Sequence, residues 1–179
     1  MKVLVLNGNP KQDYPEFDLY LEQLKNFCDE KDIAVELILL REFDLHNCIG
    51  CYSCWLKTPG ICFHRDGMEL LIKKYLAADI VILASPIIMG FVSSLLKCFN
   101  DRLILLGHPF LYLKNDRMAH VPRYAHYPQT VLFLDDPKYA ESDCFSLIES
   151  VYQRSSREFK KMFTTKNNIQ EIIDEITHY

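Results

Sequence analysis

The sequence predicts a three-layer α/β domain built on a parallel β-sheet. Strand-like runs that are apolar throughout alternate with segments whose apolar residues recur every three or four positions. Continuous apolar runs rich in Val and Ile are typical of strands covered by helices on both faces. This alternation favours parallel strands joined by right-handed crossovers. The 179 residues, 49% of them hydrophobic and 25% charged, are sufficient for one domain with a substantial core.

Five strands are predicted from the apolar runs, the last being the weakest: Lys2–Asn7, Ile33–Leu40, Asp79–Ala84, Thr130–Asp135 and Lys160–Thr165. Five helices are predicted from the helical spacing: Pro15–Lys31, Gly67–Ala78, Ser93–Leu106, Ser142–Arg157 and Ile169–Ile176. Pro15 suits a first helical turn, and Glu16 complements the positive end of that helix. Asp66 and Glu69 suit a capping pair for the second helix.

Two segments interrupt the alternation within a single expected domain, residues 1–179. Residues 46–64 form a cysteine-rich loop, and residues 107–129 fit neither the helical nor the strand period. A loop as long as 107–129 inside a compact domain usually has a function or is covered by a partner. Because its aromatic side chains are typical of interface cores, we expect it to contribute, with the cysteine loop, to a homodimer or a dimer of dimers.

Charge and hydropathy argue against several classes of protein. The net charge of −4 comes with no basic concentration, so nucleic acid is not an expected partner. No segment approaches the roughly 18 apolar residues of a membrane span. The apolar run Val3–Leu6 is shorter than the hydrophobic region of a secretion signal. We therefore expect a cytoplasmic protein, in which clustered thiols more often indicate metal or redox chemistry than disulfides.

Four cysteines fall close together in the pattern C-x2-C-x2-C-x7-C: Cys48, Cys51, Cys54 and Cys62. This spacing lets one short loop bring several sulfurs to a single point. The arrangement suits an iron–sulfur cluster, a tetrahedral zinc or a reactive dithiol. Cysteine also packs well as a small apolar group, which is how we interpret Cys28, Cys98 and Cys144. The residues favour a role for the loop and leave its nature open.

Three loops are predicted at the carboxyl edge of the sheet, where open parallel sheets bind ligands. The first, Asn7–Lys11, follows the first strand, and backbone amides at such a turn can bind a phosphate. In the second, Ser85–Gly90, Ser-Pro favours a turn and Gly90 permits close approach to a flat ligand. The third, Asp135–Pro137, follows the fourth strand. Any α/β domain needs such loops, so a purely structural interpretation stays open at this point.

The chain resembles the NADPH-dependent FMN reductase family of flavodoxin-like proteins, including its iron–sulfur flavoprotein branch. The resemblance covers about residues 1–165 and depends on VLVLNGNPK, CIGCYSCWLKTPGICFHRDGM and ASPIIMGFVSSLLKCFNDR. It implies a flavodoxin-like three-layer sandwich with a five-stranded parallel sheet of order 2-1-3-4-5, FMN as cofactor and NAD(P)H as hydride donor. Carried over by position, it implies that the isoalloxazine ring is lined by Pro86, Ile87, Ile88, Met89 and Gly90. Together with the residues of the first two loops, the predicted cofactor site consists of Asn7, Asn9, Pro10, Lys11, Ser85, Pro86, Ile87, Ile88, Met89 and Gly90.

The chain departs from the family's pattern in each of the three loops. Ile88 and Met89 stand where relatives usually have an aromatic pair, so apolar contact is retained and ring stacking is not. In the first loop and the helix start, Asp13, Glu16 and Asp18 are expected to repel a phosphate dianion. The third loop has two carboxylates and lacks the usual glycines.

Three functions are hypotheses at this stage. The first is an FMN-dependent NAD(P)H oxidoreductase that passes electrons to a quinone, a flavin or another small acceptor; since the flavin does the chemistry, no catalytic side chain is named. The second is an iron–sulfur flavoprotein electron carrier with a 4Fe-4S cluster on the four clustered cysteines, zinc and metal-free thiols remaining alternatives. The third is a binding or sensing module with weakened cofactor binding, suggested by the acidic first loop and the glycine-free third loop.

Single residues near these motifs have more ordinary interpretations. Lys97 and Asp101, four apart on a helix, are expected to form a structural ion pair, with Arg102 at a subunit contact. His46 and His64 flank the cysteines and are interpreted as surface histidines rather than groups that support metal ligands.

Overall fold

The computed structural model describes residues 1–11, 14–114, 116–136 and 142–178, so the expected effects of Asp13 and Pro137 lie outside the described residues. Five strands form its central sheet: β1 (Lys2–Asn7), β2 (Ala34–Leu39), β3 (Ile80–Ser85), β8 (Gln129–Leu134) and β9 (Phe159–Thr164). All neighbours pair in parallel in the order β2-β1-β3-β8-β9. The predicted sheet order is therefore confirmed.

Helices cover both faces of the sheet: α1 (Pro15–Asp29), α2 (Ser53–Leu56), α3 (Met68–Ala77), α4 (Ser94–Asp101), α5 (Ser142–Ser155) and α6 (Ile169–Thr177). The buried residues of α1 and α6 pack against Val3 and Val5 on one face. Those of α3, α4 and α5 pack against Leu4 and Leu6 on the other. The predicted three-layer architecture is confirmed.

The central strand explains why its sequence is apolar without alternation. Successive side chains of a strand point to opposite faces, and both faces of β1 are covered by helices. Val3, Leu4, Val5 and Leu6 are all at most 2% exposed. Complete burial of such a side chain contributes about 1.5–3 kcal/mol, so this strand anchors the sheet whose carboxyl edge forms the site described below.

The segment 107–129, expected to be irregular, contains a β-hairpin instead. Its strands are β6 (Gly107–Lys114) and β7 (Arg117–Pro122), which pair antiparallel and form a sheet of their own. The pairing shifts register between Gly107 and Leu111, and Asp116 near the tip has a positive φ of 59°. The expectation was wrong because a register shift and two prolines obscure the two-residue period by which strands are recognised.

The connection after β3 also contains a small hairpin, formed by β4 (Ile87–Ile88) and β5 (Phe91–Val92). The helix predicted to run to Leu106 changes after Asp101 into a 3₁₀ turn, Arg102–Leu106. Within the described residues, no helix has the length and apolar character needed to cross a membrane.

Candidate functional site

The three predicted loops meet in one cleft at the carboxyl ends of β1, β3 and β8. The cleft has a volume of about 170 Å³ and is lined by Asn9, Lys11, Tyr14, Pro86, Ile87, Ile88 and Asp135. Five of the ten predicted cofactor residues thus line the cleft: Asn9, Lys11, Pro86, Ile87 and Ile88. Asn7 and Ser85 are completely buried and form hydrogen bonds within the loops instead of lining the cleft. Pro10, Met89 and Gly90 do not line the cleft either.

The backbone amides of the first loop already donate hydrogen bonds within the folded chain. The Gly8 amide donates to the Ala84 carbonyl oxygen over 2.7 Å, and the Asn9 amide donates to Asn7 Oδ1 over 2.8 Å. The Lys11 amide donates to Asn9 Oδ1 over 3.0 Å, and Pro10 has no amide hydrogen. The amides of residues 8–11 are therefore occupied or missing, so a phosphate at this turn would have to displace existing hydrogen bonds.

The expected repulsion from Asp18 is offset by a cation that sequence reasoning missed. Arg41 Nη2 donates to Asp18 Oδ2 over 2.8 Å, and Arg41 Nη1 donates to the Asn9 carbonyl oxygen over 3.3 Å. The side-chain amides of Asn7 and Asn9 donate to Asp18 Oδ1 over 2.6 and 3.0 Å. The Asp18 carboxylate is thus a structural acceptor that holds the first loop in shape. Only the position of Arg41 just after the second apolar run could have indicated this.

The second loop is tied to the first by two serines. Ser85 Oγ accepts from the Ser93 amide over 2.8 Å, and Ser93 Oγ donates to the Gly8 carbonyl oxygen over 2.5 Å. Gly8 is packed so closely that a Cβ built on it would lie 2.7 Å from Leu96 Cβ. The two loops therefore form one rigid unit, because neither can shift without breaking these contacts.

The tip of the small β4–β5 hairpin extends away from the cleft. Met89 and Gly90 both have positive φ values, 52° and 77°, and the Met89 side chain is fully exposed. Ile87 and Ile88 are half-buried and, with Pro86, give the cleft an apolar wall. This wall is suited to contact with a flat apolar ring.

The third loop carries its two carboxylates in paired form. Tyr14 Oη donates to Asp135 Oδ2 over 2.6 Å, and Thr165 Oγ1 donates to Asp135 Oδ1 over 3.0 Å. Lys166 Nζ lies 2.8 Å from Asp136 Oδ1. Tyr14 was not predicted as a site residue, and its partner is 121 positions away in the chain. The loop's negative charges are therefore partly compensated where they border the cleft.

These contacts fit the two ends of FMN unequally. The apolar wall of the second loop fits the isoalloxazine ring. The phosphate finds Lys11 on the cleft wall, but the backbone amides of residues 8–11 are already bonded. The described part of the cleft therefore favours recognition of the ring over recognition of the phosphate.

The four predicted cysteines line one small pocket, about 30 Å³ in volume, together with His64 and Arg102 among others. Two of its thiols are exposed, Cys48 and Cys51, whereas Cys54 is buried. Burial raises the pKa of the Cys54 thiol, and its three neighbouring thiols raise it further. Among the described residues, no three Cys, His, Asp or Glu side chains are placed to share a metal ion. The donor chemistry thus fits a thiolate-ligated group, although the ligands are not drawn together.

The backbone of the cysteine loop turns sharply beside the exposed thiols. Gly50 and Tyr52 both have positive φ values, 65° and 52°. Nothing lies within 4 Å of a Cβ built on Gly50, so this turn is free of packing constraints. The two exposed thiols, Cys48 and Cys51, flank Gly50 closely in sequence.

A buried ion pair closes the base of the cysteine loop. Arg102 Nη1 and Nη2 donate to the two oxygens of Asp66 over 2.6 and 2.9 Å, and Nη1 also donates to the His46 carbonyl oxygen over 3.1 Å. Both side chains are at most 2% exposed. Burial alone raises the pKa of Asp66, but hydrogen bonds from Arg102 and two backbone amides hold it well below its ordinary value. Arg102 was expected at a subunit contact, which is wrong, because it is buried in its own chain.

The other single-residue expectations are confirmed in part. Lys97 and Asp101 do form an ion pair on α4. His46 has a half-exposed side chain, as expected of a surface histidine. His64 does not fit that expectation, because it is partly buried and stacks on His46 with a centroid distance of 4.8 Å. Sequence gave no signal for this, since the stacking depends on how the loop folds back.

The hairpin lies against the cysteine loop. Trp55 Nε1 donates to the Ile104 carbonyl oxygen over 3.1 Å, and the Trp55 and His120 rings are 4.8 Å apart. On the other side of the loop, a Cβ built on Gly60 would lie 3.1 Å from Arg123 Cδ. The two segments that interrupt the strand–helix alternation therefore form one continuous surface.

The fold and the cleft at the carboxyl edge of its sheet define a flavodoxin-like protein. Residues 1–122, about two thirds of the chain, match the family described as NADPH-dependent FMN reductase. The protein belongs to this family.

Curated relatives that match the chain are named iron–sulfur flavoproteins. One from Methanocaldococcus jannaschii is 36% identical over 102 residues, which cover 57% of this chain and 51% of that relative. One from Archaeoglobus fulgidus is 30% identical over 104 residues, covering 57% of this chain and 48% of that relative. The chain therefore spans about half the length of the curated relatives it matches.

Solved structures with the same fold have low sequence identity to this chain. An NAD(P)H:quinone oxidoreductase from Methanothermobacter marburgensis superposes with a TM-score of 0.66 at 14% identity, covering 96% of this chain and 89% of that one. An FMN-dependent NADH-azoreductase from Bacillus anthracis in complex with FMN has a TM-score of 0.55 at 12% identity, covering 98% and 93%. At this identity the likeness shows the fold alone.

Proposed function

We propose that this protein is an FMN-dependent oxidoreductase that takes hydride from NAD(P)H and passes electrons to a quinone, a flavin or another small acceptor. The observation that carries the proposal is the cleft at the carboxyl edge of a flavodoxin-like sheet, with an apolar wall of Pro86, Ile87 and Ile88. Ligands of open parallel sheets bind at this edge. Membership of the FMN reductase family supports the same assignment.

In this proposal the side chains bind and orient, and FMN supplies the hydride and electron chemistry when it is bound. Ile87 and Ile88, which line the cleft, would contact the bound ring and exclude water from it. Asn9 and the paired Tyr14 and Asp135 provide the polar border of the cleft. The serine ties between the first two loops keep these groups in place, so little ordering is needed when the cofactor binds.

Binding of FMN and of riboflavin tests this assignment. We expect FMN to bind with a micromolar dissociation constant. Quenching of flavin fluorescence measures this binding. Because the amides of residues 8–11 are occupied, riboflavin should bind within about tenfold of FMN, whereas a dedicated phosphate site contributes far more. If neither ligand binds at micromolar concentration, the oxidoreductase hypothesis is rejected and the hypothesis of a binding or sensing module remains. Much tighter binding of FMN would show that the first loop opens.

The cysteine pocket favours a second function, that of an iron–sulfur flavoprotein electron carrier. We propose that Cys48, Cys51, Cys54 and Cys62 bind a 4Fe-4S cluster, since all four line one pocket and the curated relatives are named for such a cofactor. Anaerobic purification with iron and acid-labile sulfide analysis tests it. About four of each per chain supports the cluster. Zinc without sulfide, or no metal after anaerobic reconstitution, rejects it.

We further propose that the cytoplasmic protein is a homodimer or a dimer of dimers joined through the hairpin and the cysteine loop. Both segments expose large apolar side chains, including Phe110, Leu113 and Met118 on the hairpin and Leu56 and Phe63 on the loop. Contiguous exposed apolar surface of this kind marks interaction sites. Light scattering that gives a monomer mass at working concentration would contradict the assembly. Charged substitutions at Tyr112 and Tyr124 should dissociate it.

A further inference from the structure

A second cavity lies between the base of the β6–β7 hairpin, the Arg102–Leu106 turn and the carboxyl end of α5. Its volume is about 280 Å³, larger than that of the cleft. Arg157, which lines the cavity, comes just before β9, whereas Thr165, which bonds Asp135 of the third loop, comes just after that strand. The cavity, named here the hairpin pocket, therefore lies at the amino edge of the sheet, opposite the cleft.

The guanidinium of Arg157 has a fixed orientation in the hairpin pocket. Its Nη2 donates to the His120 carbonyl oxygen over 2.8 Å, and its Cζ lies 5.0 Å from the centre of the Tyr127 ring. That ring is fixed in turn, because the Tyr127 hydroxyl donates to the Leu106 carbonyl oxygen over 2.6 Å. The cation is therefore held by both a backbone oxygen and an aromatic face.

Most of the hydrogen-bonding capacity of Arg157 is unused. A guanidinium has five N–H donors, and the bond to His120 occupies one of them. Within the ranges that the structure describes, Arg157 pairs with no carboxylate. Asp101, which also lines the pocket, is already paired with Lys97. The pocket thus presents a planar cationic donor whose charge is not matched by an anion of the described chain.

The rest of the lining is largely apolar. It includes two aromatic residues, Tyr75 and Tyr127, and three aliphatic ones, Leu103, Ile104 and Leu106. Ligand pockets typically combine such a lining with a few placed polar groups, and a volume near 300 Å³ suits a small ligand. The apolar side chains therefore favour an occupant with a flat apolar body, since aromatic rings pack well against one another.

The shape and charge of the guanidinium define the other end of the ligand. Its parallel N–H groups match the two oxygens of a carboxylate, and such charge-assisted pairs are stronger than neutral hydrogen bonds. We propose that the hairpin pocket is a second ligand site, which binds a small aromatic carboxylate with its charged group on Arg157 and its ring against the apolar lining. The site is separate from the flavin cleft and from the four clustered cysteines, and it does not rest on either proposed function.

The cysteine loop contacts two residues of the hairpin pocket and supplies a probe of its occupancy. Trp55 Nε1 donates to the Ile104 carbonyl oxygen over 3.1 Å, and the Trp55 ring centre lies 4.8 Å from that of His120. Both Ile104 and His120 line the pocket. Because Trp55 is the single tryptophan of the chain, its fluorescence should change when the pocket is filled.

Calorimetric titration of the full chain with benzoate, and with its neutral analogue benzamide, tests the inference. Arg157→Gln removes the cation, and its matched control, Arg154→Gln, changes an exposed arginine that does not line the pocket. Ser155→Phe fills the pocket from an exposed position in its lining, and its matched control, Ser146→Phe, changes an exposed serine of the same helix outside the pocket.

Two further measurements locate the bound benzoate. Lys11→Gln removes a cation that lines the cleft, the other place where an aromatic anion could bind. Trp55 fluorescence is followed in parallel with every calorimetric titration. Binding in the hairpin pocket changes this fluorescence and is insensitive to the substitution of Lys11.

We expect the parent to bind benzoate with a dissociation constant on the order of 1 mM, the scale for so small a ligand. Benzamide should bind about tenfold more weakly or worse, because it cannot form the charge-assisted pair. Arg157→Gln and Ser155→Phe should each weaken benzoate binding by about tenfold or more. The two matched controls and Lys11→Gln should retain the affinity of the parent.

Several results would overturn the inference: no saturable binding to the parent, equal binding of benzamide, or unchanged affinity in both pocket variants. Loss of binding in Lys11→Gln, or heat of binding without a change in Trp55 fluorescence, would place benzoate elsewhere and overturn it as well. Should Arg157→Gln lose its fold, judged by circular dichroism, the affinity of Ser155→Phe decides the question. Flavin binding is measured separately, so failure here leaves both proposed functions in place.

Discussion

The cleft at the sheet edge and the cysteine pocket differ in how completely each satisfies its own polar groups. In the cleft, Asn7, Asn9 and Asp18 bond one another and the loop backbone. In the cysteine pocket, two thiols are exposed, one is buried, and no three Cys, His, Asp or Glu side chains among the described residues are placed to share a metal ion. The first site is therefore preassembled by hydrogen bonds of the fold, whereas the thiols of the second share a pocket without being drawn together.

Breaking the ion pair at the base of the cysteine pocket is expected to have the largest effect on stability. Asp66→Ala leaves Arg102 buried without its partner and should lower the free energy of unfolding by about 3–5 kcal/mol. The matched control is Asp101→Ala, which breaks the surface pair with Lys97 and should cost at most about 1 kcal/mol. Urea denaturation measures both. Equal losses in the two variants would mean that the ion pair does not hold the loop.

The same ion pair should make stability depend on pH. The pKa of Asp66 is lowered in the folded protein, so its contribution is complete above the unfolded value of about 3.9 and is lost as pH falls towards the folded value. The slope is at most about 1.4 kcal/mol per pH unit for one proton. Urea midpoints between pH 6 and acid, compared with those of Asp66→Asn, isolate it. Parallel curves for the two proteins would rule out this source.

Alanine substitutions at two glycines compare the effect of close packing beside the cleft with the effect of backbone strain in the cysteine loop. Gly8→Ala forces a Cβ to within 2.7 Å of Leu96 Cβ and should lower stability by about 1–3 kcal/mol while weakening flavin binding. Gly50→Ala meets no atom within 4 Å and should cost only the strain of its positive φ, about 1–2 kcal/mol, without affecting flavin. Flavin titrations separate the two sites. Equal flavin affinity in both variants would contradict a role for close packing at Gly8.

The smallest expected effect sharpens the assignment of the cleft wall. Ile88→Tyr restores an aromatic ring at a cleft position and should tighten FMN binding by about two- to tenfold, the usual contribution of aromatic contact. Met89→Tyr is the matched control, because Met89 is fully exposed and does not line the cleft. Fluorescence titration compares them. A gain for Met89→Tyr alone would place the flavin ring at the hairpin tip.

The positions of the strands could be predicted closely because burial on both faces leaves a strong local signal. The strand predicted at 79–84 is observed at Ile80–Ser85, and that at 130–135 at Gln129–Leu134. The meeting of the three loops also followed from the sequence, since the carboxyl ends of parallel strands share one edge. The hairpin at 107–122 did not, because its register shift and prolines interrupt the local pattern.

The sequence by itself determined the fold class, the edge of the sheet where the candidate site lies and the four thiols that share a loop. Only the tertiary structure decided which charged groups in those places are paired, and with which partner. Arg41 neutralises Asp18 from 23 positions away, Tyr14 bonds Asp135 from 121 positions away, and Arg102 bonds Asp66 from 36 positions away. Hydropathy repeats locally along the chain and can be recognised there, whereas an ion pair depends on two distant residues meeting in the folded protein.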